Sequence, residues 1–260
     1  MAADTIAVLS LKGGTGKTTT VRTLADVLRQ IGLEVLTIDL DPQGNLSDYF
    51  DVPRDAAPTV ADVLSGDAKA KEAIHDGVIP SAMNLADVER SLSGKMGREV
   101  VLKKALKDQR KAYDVILIDC PPALGLLTVN GLVAADYALI SSEAQYFALQ
   151  GVNGALEVIE QAREYYNDEL EFLGVLMNIA DMRTSHSRDA FSQLQEAFGE
   201  KVFATVIRAS IAYAESAEKA LSILDHRPDL GADYLNLADE VLARIGREDA
   251  RSALAPLLLH

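Results

Sequence analysis

Five short apolar runs alternate along the chain with longer segments of helical periodicity. The runs lie at residues 6–11, 35–40, 115–118, 137–141 and 172–178. Such runs are typical of strands that are buried on both faces, and the segments between them have the spacing of helices that cover a sheet. The pattern therefore predicts an α/β fold with a mostly parallel, twisted sheet and helices on both faces.

The helices are predicted from periodicity and from residues that start or stop them. They lie at residues 17–30, 59–64, 98–109, 150–166, 187–198, 212–224 and 232–245. Gly32 follows the first helix, and Thr59 is a candidate cap for the second. Residues 51–97 are the least regular, and we expect an insertion above the carboxyl edge of the sheet. No long linker divides the sequence, which predicts a single domain over residues 1–260.

The composition is that of an ordinary globular protein, with 48% hydrophobic and 25% charged residues. These proportions argue against a disordered chain. No apolar run approaches the roughly 20 residues that a membrane-spanning helix needs. The one cysteine, Cys120, offers neither an internal disulfide nor a cluster of metal ligands. Together these features predict a cytoplasmic protein.

The formal charge of −14 is unevenly distributed. Residues 90–111 carry eight Lys or Arg side chains against two acidic ones, so this stretch is +6 and the remaining chain is −20. One interpretation is a local basic surface. The other is a solvated helix face, which is the usual role of a charge run.

Residues 12–19 read K-G-G-T-G-K-T-T and lie between the first predicted strand and the first predicted helix. Glycines there allow backbone N–H groups to converge on phosphate oxygens, and the start of the helix attracts the same anion. Lys17 is expected to reach the β- and γ-phosphates, and the Thr18 hydroxyl to ligate Mg²⁺. The predicted nucleotide-binding residues are Lys12, Gly13, Gly14, Thr15, Gly16, Lys17, Thr18 and Thr19.

Two other predicted strands end in aspartates. Residues 39–45 read D-L-D-P-Q-G-N, and Asp119 ends an apolar run in the manner of a Walker B motif. Carboxylates at the carboxyl ends of parallel strands face the ligand crevice. Asp119 is therefore predicted to hold Mg²⁺ through water. For Asp39 two roles stay open: support of the magnesium shell or the loop, or a plain hydrogen bond at the strand end.

Leu11 stands where the usual phosphate loop has its first glycine, and Lys12 lies five residues before Lys17. This motif resembles the deviant Walker A motif of the ParA/MinD group of P-loop NTPases, and D-x-D-P-Q-G-N is similar to a motif of ParA proteins. The resemblance implies that Lys12 reaches the nucleotide of a partner subunit. It also implies that Asp41 orients or deprotonates the attacking water beside the metal. Catalytic roles are thus expected for Lys12, Lys17 and Asp41, with ATP and Mg²⁺ as cofactors.

The resemblance covers nearly the full length and extends to base and DNA contacts. It places Asn178 and the loop at residues 206–210, including Arg208, near the adenine. Ile207 and Ala209 stand where many relatives have Pro and Asn, so backbone contacts are an alternative there, and Asn178 has the alternative role of a structural amide. The DNA contacts that the resemblance implies are Arg183, Arg188, Arg208, Lys219 and Arg227.

The function implied by the resemblance is that of an ATP-dependent homodimer. It would bind DNA non-specifically, lie on the nucleoid when ATP-bound, and position chromosome, plasmid or other cargo with a ParB-like activator that presents a basic segment. One rival is a MinD-like membrane cycle. The tail at residues 253–260 is short, interrupted by Pro256 and without Lys or Arg, so no stable membrane association is expected. The other rival is an ATP-coupled metabolic enzyme on the same scaffold.

Overall fold

The structure, a computed structural model, describes residues 2–145 and 148–258. Its strands are β1 (Asp4–Leu9), β2 (Val35–Asp39), β3 (Val78–Ile79), β4 (Val115–Asp119), β5 (Tyr137–Glu143), β6 (Glu171–Ala180) and β7 (Val202–Arg208). Its helices are α1 (Lys17–Gln30), α2 (Asn45–Tyr49), α3 (Val60–Ser65), α4 (Leu85–Leu92), α5 (Val101–Ala105), α6 (Gln109–Ala112), α7 (Leu126–Ala134), α8 (Ala148–Tyr165), α9 (Ser185–Phe198), α10 (Ala212–Glu218), α11 (Ile223–His226), α12 (Pro228–Arg244) and α13 (Glu248–Leu258).

The strands form one sheet in the order β3-β2-β4-β1-β5-β6-β7. Every pair of neighbouring strands is parallel. The chain leaves β1 toward β2 on one side of the sheet and continues from β5 to β6 and β7 on the other. A crevice forms outside the carboxyl ends of the strands at such a reversal. The predicted α/β fold with a parallel sheet is confirmed.

Strand β1 shows how the sheet acquires two hydrophobic layers. Ile6 and Val8 belong to a core shared with α1 and α12, whereas Ala7 and Leu9 belong to a second core on the opposite face. All four side chains are fully buried. Successive side chains of a strand point to opposite faces, so a strand covered on both sides reads as a continuous apolar run.

Two strands were absent from the sequence prediction. Residues 202–208 form β7, so most of the loop expected at residues 206–210 is strand. Residues 51–97 also depart from the expected insertion above the sheet, because they contain α3, β3 and α4, and β3 pairs with β2 at the edge of the sheet. A two-residue edge strand carries too short a pattern to be recognised by periodicity.

The helix predicted over residues 98–109 is interrupted. A 3₁₀ turn at Arg98–Val100 precedes α5, and α6 begins only at Gln109. Asn130 of α7 explains the break at the start, because its Oδ1 accepts a hydrogen bond from the Leu102 N–H at 3.1 Å and its Nδ2 donates to the Arg98 carbonyl at 2.8 Å. A side chain from a distant helix thus fixes where α5 begins.

The helix predicted over residues 212–224 is also two helices. Ala220 adopts a left-handed conformation with φ 51°, which ends α10, and the Ser222 hydroxyl accepts from Leu224 N at 3.3 Å to start α11. Ser is a favoured N-cap residue, so this boundary had a signal in the sequence.

The chain's last described helix, α13, packs Ala250 and Leu254 into the core beside α12. The tail is therefore helical through Leu258, with Leu254 buried, Leu257 partly buried against the core and Leu258 exposed, whereas residues 259–260 lie outside the described part. Within that part, no helix combines the length and the hydropathy that crossing a bilayer requires.

Candidate functional site

The loop between β1 and α1 has the shape of an anion-binding nest. Gly14 and Gly16 adopt φ of 78° and 81°, which is the left-handed region where glycine carries no steric cost. Gly16 precedes the first helical residue, and no side chain caps the N–H groups of α1. These donors and the positive end of the helix are therefore available to a phosphate group.

Lys17 lies inside this loop and is only 6% exposed. Its Nζ is 3.1 Å from the Ser10 Oγ, a neutral partner. Ser10 is itself held by the Thr15 hydroxyl at 2.9 Å and donates to the Lys12 carbonyl at 2.7 Å. A buried ammonium group with a neutral hydrogen-bond partner is well suited to receive an anionic ligand.

A chain of hydrogen bonds supports the loop from below. The Ser141 hydroxyl donates to the Thr15 carbonyl at 2.6 Å, and the Asn178 Nδ2 donates to Ser141 Oγ at 2.7 Å and to Thr20 Oγ1 at 3.3 Å. A Cβ atom on Gly16 would lie 3.1 Å from the Asn178 Cγ, so the amide sits directly against the loop. These hydrogen bonds give Asn178 a structural role beneath the loop. Its Oδ1 has no hydrogen-bond partner within the described residues, and the predicted base contact stays a prediction.

Three aspartates converge at the carboxyl ends of β2 and β4. Asp39 and Asp119 are register partners in the sheet. The Thr18 hydroxyl donates to Asp119 Oδ2 at 2.7 Å, while Asp119 Oδ1 is buried and lacks a partner in the described part of the chain. Asp41 is 9% exposed and accepts a hydrogen bond from the Gln43 N–H at 3.0 Å. Thr18 thus contacts Asp119, and Asp41 lines the same cleft as Thr18, while the metal-binding role expected for these three residues stays a prediction.

Asp39 organises the loop that carries Asp41. Its two oxygens accept from Asp41 N at 3.1 Å, from Ser47 N at 2.9 Å and from Ser47 Oγ at 2.7 Å. Ser47 Oγ in turn accepts from the Ser81 N–H at 2.9 Å. All of these contacts are structural. Of the roles considered for Asp39, they support that of holding the loop.

Burial makes the Asp119 and Asp39 carboxyl groups weaker acids. Burial, together with the neighbouring Asp39 charge, raises the pKa of Asp119 to about 8, although the Thr18 hydrogen bond opposes the shift. Burial also raises the pKa of Asp39 to about 6, against the hydrogen bonds from Ser47 and Asp41. Two carboxylates raised in this way favour a proton or a cation between them.

Lys12 has different surroundings from Lys17. Its side chain is 61% exposed, and its Nζ contacts Glu143 Oε2 at 2.8 Å and Gln145 Oε1 at 2.7 Å. Lys12 lines a cavity of about 290 Å³ that the loop shares with β5 and α8. Neither Glu143 nor Gln145 was predicted from the sequence as a partner of Lys12. A polar residue that ends a buried strand, the signal used for Asp39 and Asp119, would have identified Glu143.

A larger cleft of about 850 Å³ opens over the phosphate loop. Residues 13–19 form one end, Asp41 and Gln43 line the side near β2, and the far end is lined by Asn178, Ile179, Ile207, Arg208, Ser210, Tyr213 and Tyr234. The size and the mixture of a polar phosphate end with an apolar, aromatic end are those of a nucleotide pocket.

Comparison with known proteins identifies the family. A family described as an AAA domain (AAA_31) matches residues 3–172. The sporulation initiation inhibitor protein Soj of Bacillus subtilis is 38% identical over 247 residues, which cover 92% of this chain and 98% of Soj. The chromosome-partitioning ATPase Soj of Thermus thermophilus is also 38% identical, with 92% and 96% of the two chains covered. The chain belongs to the Soj/ParA family of ATPases.

Solved structures agree with this Soj/ParA assignment. Apo McdA of Cyanothece superposes on this chain with a TM-score of 0.84 at 27% identity. The matched region is 92% of this chain and 99% of McdA. A Mycobacterium smegmatis protein described as cobyrinic acid a,c-diamide synthase, with bound ATP analogue and magnesium, has a TM-score of 0.76 at 36% identity, with 86% and 95% covered. The resemblance inferred from residues 12–19 and 39–45 is thereby confirmed.

The candidate DNA contacts of this Soj/ParA chain are mostly engaged within the protein. Arg183 pairs with Asp181 at 2.8 Å, Arg208 with Asp233 at 2.9 Å and Arg227 with Asp229 at 2.8 Å. Arg188 donates to the carbonyls of Met182 and Arg183 at 3.0 and 2.7 Å. Lys219 makes no ion pair with the described residues. DNA binding by the arginines therefore requires them to exchange or share their partners.

Proposed function

We propose that this chain is an Mg²⁺-dependent ATP hydrolase that dimerises on ATP binding, binds DNA without sequence preference, and positions chromosome, plasmid or other cargo. The support is membership of the Soj/ParA family, whose relatives include chromosome-partitioning ATPases. The proposed partner is a ParB-like activator with a basic segment, for which a remainder of −20 outside residues 90–111 is electrostatically suited. The proposed location is the cytoplasm, on the nucleoid while ATP is bound.

The observation that carries the dimer is the contrast between the two lysines of one loop. Lys17 is buried and faces the nucleotide cleft of its own chain. Lys12 is 61% exposed and held on the outside by Glu143 and Gln145. A second cation that lies outside its own cleft is available to the nucleotide of a second subunit, where it would stabilise charge on the phosphates as an arginine finger does.

The residues present fit ATP and Mg²⁺. Magnesium prefers oxygen ligands and keeps several waters, so it needs few protein donors when phosphates supply the rest. Thr18 Oγ1 and the unpartnered Asp119 Oδ1 are such donors, Asp119 acting through water. When bound, Mg²⁺ withdraws charge from the phosphate oxygens. Lys17 and the N–H groups of residues 13–19 would hold the β- and γ-phosphates, and Asn178 and Arg208, which line the other end of the cleft, would lie near the base.

Asp41 is proposed as the residue that orients the attacking water. It lies at the cleft wall beside Gln43, and its position is fixed through its own N–H by the buried Asp39 carboxylate. Its Oδ2 has no protein hydrogen bond among the described residues. A carboxylate held in this way can accept a proton from water without moving, which reduces the cost of reorganisation during hydrolysis.

The proposed DNA surface is formed by Arg183 and Arg188 after β6, Arg208 at the end of β7, and Lys219 and Arg227 after β7. Residues 90–111 are the alternative surface. Several of their basic groups are already used, since Arg110 pairs with Asp136 at 2.7 Å and Lys103 donates to Asn167 at 3.1 Å. The four lysines at 95, 104, 107 and 111 are exposed there, and of these Lys111 pairs with Asp108 at 3.8 Å.

A metabolic role has one observation in its favour, the synthase name of the M. smegmatis relative. Transfer of an amide nitrogen commonly begins with a thiolate nucleophile. The chain has one cysteine, Cys120, which is fully buried, and burial raises the pKa of its thiol far above the usual range. We therefore favour the positioning ATPase.

The test is the binding of random-sequence duplex DNA across a salt series with ATP, ADP or no nucleotide. Neutralisation of several phosphates predicts a steep loss of affinity between roughly 50 and 200 mM salt, seen with ATP alone. DNA binding of equal affinity with ATP, ADP and no nucleotide would refute the proposed ATP-dependent switch. Liposome sedimentation with and without ATP distinguishes the MinD-like alternative.

A further inference from the structure

Two helices on different walls of the nucleotide cleft are joined by a buried hydrogen bond. Tyr49 ends α2, which starts immediately after the loop of Asp41 and Gln43, and Ser216 lies in α10, which follows the base end of the cleft. The Tyr49 Oη and Ser216 Oγ are 2.5 Å apart. Tyr49 is 2% exposed and Ser216 is fully buried, so water does not compete for this contact.

The direction of this hydrogen bond follows from its neighbours. Ser216 Oγ donates to the Tyr213 carbonyl at 2.9 Å, which uses the only proton of the hydroxyl. The Tyr49 hydroxyl must therefore be the donor and Ser216 the acceptor. Removal of the Tyr49 hydroxyl deprives α10 of its link to α2 without changing the shape of the ring.

Tyr49 is also fixed to the helix that begins at the phosphate loop. The Arg22 Nη1 of α1 donates to the Tyr49 carbonyl at 2.9 Å, and the Arg22 guanidinium lies 5.2 Å from the Tyr49 ring centroid and 4.0 Å from that of Phe50. Arg22 is held in turn by Asp26 at 2.9 Å. The end of α2 is thus clamped between α1 and α10.

The two joined helices bound the same cleft at different ends. Gln43, Asn45 and Tyr49 line it on the phosphate side, whereas Tyr213, Ala214, Ala217 and Glu218 line it on the α10 side. A rigid, water-excluded contact transmits displacement because packed elements change between discrete arrangements rather than stretch. Movement of the 41–44 loop must therefore either carry α10 along or break the Tyr49–Ser216 hydrogen bond.

We propose that Tyr49 and Ser216 are positioning residues. Their hydrogen bond transmits movement of the 41–44 loop, at the γ-phosphate end of the cleft, to α10, and α10 transmits it to Lys219 and Arg227. The inference rests on the proposed ATP-switched function and names the route by which the nucleotide changes the DNA-binding surface. Linkage then requires reciprocity: the factor by which ATP tightens DNA binding equals the factor by which DNA tightens ATP binding.

The test compares hydrogen exchange of residues 212–218 with a non-hydrolysable ATP analogue and with ADP, each at a concentration that saturates the variant. The wild type and the control Tyr165→Phe, which removes an exposed hydroxyl, should show a difference between the two nucleotides. Tyr49→Phe and Ser216→Ala should each abolish the difference, and the double variant should add nothing. A difference that persists in Tyr49→Phe, or in Ser216→Ala if Tyr49→Phe does not fold, overturns the proposal.

The DNA readout separates this inference from the proposed function. The ratio of DNA affinities with ATP analogue and ADP should fall at least ten-fold in Tyr49→Phe relative to Tyr165→Phe. If the wild type binds no DNA in any nucleotide state, the proposed function fails, and the exchange experiment still decides the coupling. If the ratio is unchanged in Tyr49→Phe, the coupling fails and the proposed function stands.

Discussion

A mixture of two inactive variants should recover ATP hydrolysis if Lys12 acts on the nucleotide of the partner subunit. Lys12→Ala keeps Asp41 but offers no lysine to its partner, and Asp41→Ala keeps Lys12 but has no water-positioning carboxylate. In a mixed dimer, the site of the Lys12→Ala subunit has its own Asp41 and receives Lys12 from the other chain. One complete site is thereby assembled from two defective subunits.

The structure predicts very different effects of Lys12→Ala on stability and on turnover. The pair of Lys12 with Glu143 is exposed on the lysine side, 61% against 14%, and such a pair contributes about 0.2–1 kcal/mol. The melting temperature should therefore change by at most roughly 4 °C. A charge supplied to the transferred phosphoryl group by a second chain contributes roughly 10³–10⁵ in kcat, or about 4–7 kcal/mol.

The assay is steady-state phosphate release from equal amounts of the two variants, with each variant alone as its control. Random association would make half of the dimers mixed, each with one active site of two; because Lys12→Ala dimerises less readily, the mixture should recover activity up to roughly a quarter of the wild-type rate. Co-purification of an untagged variant with the affinity-tagged other variant confirms that mixed dimers form. A mixture no more active than the separate variants, despite mixed dimers, would refute the action of Lys12 in trans.

Three further predictions follow from the same geometry. Asp41→Ala should retain ATP affinity and the ATP-bound dimer, while the rate of hydrolysis falls by a factor of roughly 10²–10⁴. Normal turnover in a phosphate-release assay would show that Asp41 does not orient the attacking water. Lys17→Gln should lose nucleotide affinity itself, measured with a fluorescent ATP analogue, because Lys17 is the buried cation of the cleft; affinity equal to that of Lys12→Gln would contradict this distinction. The nucleotide-free protein should lose stability as pH rises, by up to about 1.4 kcal/mol per pH unit for each group, because the folded state holds protons that the unfolded chain releases near the usual carboxyl pKa; Asp39 and Asp119 both contribute from about pH 4 to about 6, and Asp119 alone from about 6 to about 8. Urea unfolding of the wild type and Asp119→Asn checks the last point: a slope that Asp119→Asn leaves unchanged would mean that Asp119 is not the group that titrates.

The parts of the fold that the sequence predicted are those whose pattern is long and local. Strands β1, β2 and β4 are buried on both faces and read as mostly apolar runs, and α1 was predicted with its observed ends. The phosphate loop and the aspartates at residues 39, 41 and 119 were predicted for a related reason. Their chemistry is tied to a fixed place at the end of a strand, so finding the strand also places the side chain.

The parts that escaped prediction depend on contacts between distant residues. Asn130 decides where α5 begins, although it lies 28 residues after Leu102. The position of Lys12 depends on Glu143 and Gln145, which reach the loop only because β5 lies beside β1. The hydrogen bond between Tyr49 and Ser216 spans 167 residues of sequence. No local pattern contains such pairings, because tertiary packing creates them.

The molar mass of the wild type in solution tests the central claim most directly. Light scattering coupled to size exclusion should give 28.0 kDa with ADP and about twice that mass with Mg²⁺ and a non-hydrolysable ATP analogue. Lys12→Ala should bind the analogue but shift far less toward the larger species. A wild type that binds the analogue and stays monomeric at every concentration would contradict the account, since Lys12 would then have no second nucleotide to reach.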